Sequence, residues 1–203
     1  MSPALRGRGH PASVIWAGGQ NMNSGSSDKK TAGLVYTALM ICLVLLGTIL
    51  FRIPVPMTQG YVHLGDTMIF LGVLMLGKRH GAAAAGLGSA LADILGGFAF
   101  WAPWTLIIKF LMAFITGLIL EKSVRNHKHS HSAGRLIKLA AMTAGGAVMC
   151  AGYLVAETVM YGSFALAVIG LPWNIGQVGV GMALSMAIFS VLHKLPMNPN
   201  IRD

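Results

Sequence analysis

The chain has 203 residues, of which 55% are hydrophobic and 10% charged, far below the roughly 25% charge of soluble domains. That excludes an ordinary soluble domain and leaves a membrane protein. The net charge of +9 does not indicate nucleic acid, because the basic residues sit at the ends of apolar runs.

Residues 1–21 carry no helical or strand period, and 1–30 read as a poorly ordered polar leader. Uncharged apolar runs then mark the spans, since a helix needs about 20 residues to cross the hydrocarbon core. The first run, 31–51, is too long for a secretory h-region and reads as helix one. "RIPVPMTQG" is a loop, stopped by two prolines. Helix two runs from 61 or 65 to Gly77, and Lys78-Arg79-His80 is a turn. Helix three begins at Gly81 and is rich in small residues. A break from Gly96 to Pro103 leads to helix four, 104–120. The loop "EKSVRNHKHSHSAGR" follows, then helix five at 136–159. A turn region around Gly162 and Gly170-Leu171-Pro172-Trp173 precedes helix six, 174–192. The expected fold is therefore all-α: a polytopic bundle of six transmembrane helices over 31–194, with a short tail at 195–203.

Orientation follows from Lys and Arg. Six spans place eleven basic residues on the side of the two termini: Lys29, Lys30, Lys78, Arg79, Lys122, Arg125, Lys128, Arg135, Lys138, Lys194 and Arg202. Only Arg52 falls opposite, and Lys109 lies within a span. Both termini are expected in the cytoplasm. Cys42 and Cys150 lie inside apolar runs and read as small packing residues, with no disulfide framework or zinc site. His127, His129 and His131 alternate in a basic loop, which reads as solvated rather than as a metal site. No metal or cofactor is expected.

The ionisable residues within spans share a depth. Asp66 opens helix two just after His63, Asp93 lies late in helix three, Lys109 early in helix four, and Glu157 late in helix five. Asn174 and Gln177 open helix six and share a face at i, i+3. All fall in the outer half. A charge at the bilayer centre costs about 2.5–3.5 kcal/mol on insertion scales, so four such groups need a reason. Three readings stay open. One is buried ion pairs that hold helices in register, such as Lys109 with Asp93 or Glu157. A second is that Asp66 and Glu157 simply reach interfacial water. The third is a polar cavity open to the outside, with Asp93 and Lys109 as two of its walls. Three carboxylates against one ammonium favour a neutral or cationic solute over an anion. Trp101, Trp104 and Trp173 cluster at the same level, either as interface anchors or as stacking surfaces for a planar heterocycle. On helix one, Gly33/Thr37 and Ala38/Cys42 repeat at i, i+4, the spacing of close helix packing. They form a candidate docking stripe for another membrane protein.

No G-x-x-x-x-G-K-[ST] is present, so there is no P-loop for ATP. Neither a zincin motif nor G-x-S-x-G occurs, and no hydrolytic constellation is seen. The chain is not expected to be an enzyme.

The block "YVHLGDTMIFLGVLMLGKRHGAAAAGLGSALADILGGFAFWAPWTLIIKFLMAFITGLI" resembles the substrate-binding S components of energy-coupling factor (ECF) vitamin transporters. The H-L-G-D start, the G-S-A-L-A-D-I-L-G-G end and the W-A-P-W-T-x-x-I-K start look like the riboflavin- and hydroxymethylpyrimidine-type branch. The resemblance implies a multi-pass protein of a Gram-positive plasma membrane, partnered by a transmembrane T component and two cytoplasmic ATPases. It also implies that helix one docks on the T component, and that the S component topples to carry its pocket inward. The expected ligand is a small aromatic heterocycle: hydroxymethylpyrimidine or a pyridoxine-like compound first, riboflavin next. The polar contacts are expected from His63, Asp66, Asp93, Lys109, Glu157, Asn174 and Gln177, with stacking on Trp101, Trp104 and Trp173. The alternative is a stand-alone secondary transporter of a small polar solute. Against it, the inner half lacks the polar groups of a complete pathway.

Overall fold

The computed structural model describes residues 24–54, 61–126 and 131–192. Residues 1–23 of the expected leader, His127, His129, His193 and the tail lie outside the described residues, while 24–30, expected as part of that leader, are helical. The order is α1 Ser24–Leu50, β1 Arg52–Pro54, β2 Tyr61–His63, α2 Gly65–Leu95, α3 Ala102–Asn126, α4 His131–Tyr161 and α5 Phe164–Leu192. All of these helices except α2 contain stretches long and apolar enough to cross a membrane.

Where six helices are expected, five are found among the described residues, because the second and third run on across a kink at Gly77 as the two limbs of α2. Within α2 only Gly77 leaves helical geometry, at φ 75, a conformation that a side chain would strain. The chain folds back there. A Cβ on Gly81 would lie 2.8 Å from the Cα of Val73, although eight residues of straight helix span about 12 Å. The expected turn Lys78-Arg79-His80 is helical and opens the returning limb. Glu121 of α3 meets this start twice: it accepts the Lys78 backbone N–H at 3.3 Å and pairs with Lys78 Nζ at 2.5 Å. An acidic group there satisfies an otherwise orphaned helix N-terminus.

The limbs of α2 pack closely because facing residues are small. A Cβ on Gly72 would come 2.8 Å from Met40, and one on Gly88 would come 2.8 Å from Val44, both in α1. Backbone contact of this kind is how helices associate without a hydrophobic driving force. Several threonine hydroxyls are satisfied within their own helices: Thr48 donates to Val44 O at 2.8 Å, Thr116 to Met112 O at 2.8 Å and Thr158 to Leu154 O at 2.7 Å. The core beneath is Phe70, Val44, Met112, Met142 and Met149, all fully buried.

Two connections differ from expectation. The loop after α1 carries an antiparallel ribbon, pairing Arg52 with His63 and Pro54 with Tyr61. The region expected as a turn before helix six is helical: after Gly162, α5 starts at Phe164 and runs through Pro172. A proline within a helix frees one carbonyl, which a membrane bundle tolerates where neighbours compensate. Cys42 is exposed and Cys150 half-buried, and neither forms a disulfide.

Candidate functional site

The break between α2 and α3 shapes one end of the bundle. Phe98 N–H donates to Asp93 O at 2.8 Å and Gly97 N–H to Ile94 O at 3.4 Å, with Gly97 at φ 85. This is a Schellman stop, in which glycine takes the left-handed position. Arg52 completes it, donating to Gly96 O at 3.3 Å and Ala92 O at 3.5 Å. The guanidinium also lies over Tyr61 at 4.2 Å and Phe98 at 5.1 Å. A cation at a helix C-terminus is favoured by the dipole, so the ribbon is held down on the α2–α3 turn.

Under the ribbon lies a polar chamber. Its walls come in i, i+4 pairs from four segments: Ser89 and Asp93, Trp101 and Thr105, Tyr153 and Glu157, Gly170 and Asn174. Gln177, Thr48, Tyr61 and His63 complete it, and the void between them is about 40 Å³. Helical periodicity explains the pairing, since residues four apart share a face. Tyr61 donates its hydroxyl to Asp93 Oδ1. Asp93 also lies beside Thr105, whose hydroxyl is 3.4 Å from that of Tyr153. Trp101 stands 6.3 Å from Tyr153 between ring centroids.

Asp66 and Lys109 are placed differently from expectation. Neither lines the chamber. Lys109 Nζ meets Asp66 Oδ1 at 2.5 Å, with both side chains fully buried. Gln177 links this pair to the chamber. Its Nε2 donates to Asp66 Oδ2 at 2.8 Å, and its Oε1 accepts the His63 backbone N–H at 2.8 Å. Met149 Sδ lies 2.9 Å from Lys109 Nζ. The ammonium therefore pairs with Asp66, not with Asp93 or Glu157. The picture of Asp93 and Lys109 as two chamber walls is corrected, because Lys109 is spent on a deeper carboxylate. His63 faces the chamber, and its Nδ1 accepts Gly65 N–H at 3.0 Å. Burial, then the Lys109 charge, pulls its pKa down to about 3, so the ring is neutral.

The tryptophans divide as well. Trp101 lines the chamber and is 5% exposed. Trp104 packs against the hydrophobic core instead. Trp173, 42% exposed, borders a neighbouring apolar cleft with Leu50, Ile53 and Pro172, which meets the chamber at His63 and Gln177. Continuing α5 through Pro172 turns it outward. Sequence reading missed Tyr61, Thr105, Tyr153, Ser89 and Thr48. Three of them carried a signal: Ser89, Thr105 and Tyr153 each stand four residues from a named candidate. The docking stripe divides too: Thr37 is buried and Gly33 lies against His80, while Ala38 and Cys42 are exposed. No cluster of His, Cys, Asp and Glu suited to a metal ion occurs among the described residues.

A helical membrane bundle with a polar chamber and, among the described residues, no catalytic constellation fits a solute-binding membrane protein. The family model of the ECF-type riboflavin transporter S component matches residues 28–194, and the chain belongs to this family. It is thus a non-enzymatic, substrate-binding subunit for vitamin uptake. It is 29% identical over 174 residues to the thiamine precursor transporter HmpT of Lactococcus lactis subsp. cremoris, covering 85% of this chain and 92% of that protein. It is also 41% identical over 115 residues to an uncharacterized protein of Pyrococcus woesei, covering 57% of this chain and 71% of that one.

Proposed function

We propose that the chain captures a thiamine-precursor-type heterocycle, hydroxymethylpyrimidine or a pyridoxine-like compound, outside the cell. It then delivers the ligand with a T component and two ATPases. The observation that carries this is the convergence of aromatic and polar side chains from five helices and the ribbon on one small chamber. The likeness to HmpT across most of both chains supports the same ligand class. The void of about 40 Å³ favours one ring over the three fused rings of riboflavin, because even one ring must part the lining side chains.

In this reading the two limbs of α2 each cross the membrane, giving six spans with both termini cytoplasmic. The eleven-to-one division of Lys and Arg supports it. The exposed pair Ala38/Cys42 on α1 is the docking face for the T component, while Gly33 and Thr37 serve internal packing. Proteoliposomes test the assembly. Uptake of labelled hydroxymethylpyrimidine is expected only when the T component, both ATPases and ATP accompany the chain. Accumulation by the chain alone would instead favour a secondary transporter.

A further inference from the structure

The chamber walls hold polar atoms that the protein leaves unused. Asp93 Oδ2, Glu157 Oε2, Trp101 Nε1 and Ser89 Oγ are buried and have no hydrogen-bond partner among the described residues. These residues are 3%, 6%, 5% and 0% exposed. Buried polar groups are almost always paired, and orphans in a shared cavity point to a missing partner. Gly170 makes room for one of them, since a Cβ there would sit 2.7 Å from Glu157 Oε2.

We propose that Asp93, Glu157 and Trp101 read the polar edge of the ligand, and that the chamber selects uncharged or cationic amino-bearing heterocycles over anions, phosphate esters included. This rests on the capture reading above. Two carboxyl acceptors, one indole donor and the Ser89 hydroxyl, which can do either, suit a ligand with at least two donors and one acceptor. An exocyclic amino group, a hydroxyl and a ring nitrogen supply that set. Exclusion of anions follows from the cations. No Lys or Arg is among the lining residues. The nearest buried ammonium, Lys109, is neutralised by Asp66, and Arg52 lies outside the lining, donating to the Gly96 and Ala92 carbonyls with its guanidinium over Tyr61. His63 is neutral, with Nδ1 accepting Gly65 N–H. A phosphate entering this chamber would be buried beside the Asp93 and Glu157 carboxyls with no cation in the lining, which is strongly unfavourable.

Calorimetric titration of the full purified chain tests this with three probes: hydroxymethylpyrimidine, its analogue lacking the amino group, and its phosphate ester. The free aminopyrimidine is expected to bind, with the desamino analogue about 10- to 100-fold weaker and the ester weaker still. Glu157→Gln and Asp93→Asn each weaken the aminopyrimidine by about 10-fold or more while keeping side-chain size. Gly170→Ala, which removes no polar group, does the same by displacing the Glu157 carboxyl. Gel-filtration elution identical to wild type shows that each variant is folded. Equal affinity for ester and free base, or wild-type affinity in all three variants, overturns the inference and leaves the capture reading standing. If hydroxymethylpyrimidine does not bind but pyridoxamine does, and Glu157→Gln weakens it, the ligand assignment fails and the inference holds. If none of these compounds binds, both fall.

Discussion

Lys109 Nζ and Asp66 Oδ1 meet at 2.5 Å with no solvent exposure on either side chain. The pair ties α3 to α2, and through Gln177 it reaches α5 and the ribbon. Removing one member leaves the other charge buried and alone, which costs about 3–5 kcal/mol. Lys109→Met is therefore expected to be severely destabilised in detergent. Asp66→Leu combined with Lys109→Met recovers much of the loss, because an apolar pair has no charge to strand. Denaturant titration of the singles and the double checks this. Additive losses would show that the ion pair is not the coupling.

Gly77 is the hinge of the folded-back α2, at φ 75. Gly77→Ala forces a side chain into that region at a cost of about 1–3 kcal/mol. Gly97→Ala, at φ 85, strains the other end of the same limb and is expected to cost a similar amount. Thermal unfolding of both variants reads the effect. Wild-type stability in Gly77→Ala would mean that the fold-back does not depend on glycine.

His63 supplies a pH test. Its pKa is held at about 3 by burial, then by the Lys109 charge, against about 6.5 in an unfolded chain. The folded form refuses a proton that the unfolded form accepts. Its contribution to stability is thus complete above about pH 6.5 and declines as pH falls from there toward about 3. Ligand affinity is expected to show no His63 titration between about pH 5 and 8. NMR of ring-labelled histidine checks it directly, and a His63 resonance titrating near 6.5 contradicts the geometry.

The tryptophans separate the chamber from the apolar cleft. Trp101→Ala removes a chamber wall, so affinity is expected to fall about 10-fold or more. Trp173→Ala is expected to change it less than about 2-fold, because that ring lies outside the chamber. Calorimetry on both variants distinguishes them, and the reverse order would move the ligand to the cleft.

The exposed α1 pair offers a test of assembly. Ala38→Trp is expected to leave binding intact while uptake with the partner subunits falls at least about 10-fold, since close helix approach needs a small residue there. Uptake at the wild-type rate would place the docking face elsewhere.

Much of this architecture was legible in the sequence for physical reasons. Long apolar runs in α1, α3, α4 and α5 announce themselves, because a single segment satisfies its own backbone in lipid only as a helix. The shared level of Asp93, Glu157, Asn174 and Gln177 follows from counting residues from helix ends. Pairings were not legible. Asp66 and Lys109 are 43 residues apart, and several carboxylates at one depth are equivalent until the helices are rotated. Pro172 misled because a proline usually ends a helix, and that error also set Trp173 on the wrong side. Tyr61 was hidden in a loop whose ribbon pairing no periodicity announces.

The central claim is that this chamber holds a thiamine-precursor-type heterocycle, and equilibrium binding tests it most directly. Calorimetric titration of the purified chain with hydroxymethylpyrimidine should give saturable one-to-one binding that Glu157→Gln weakens. Absence of binding to both hydroxymethylpyrimidine and pyridoxine-like compounds, by a protein that elutes folded, would contradict it.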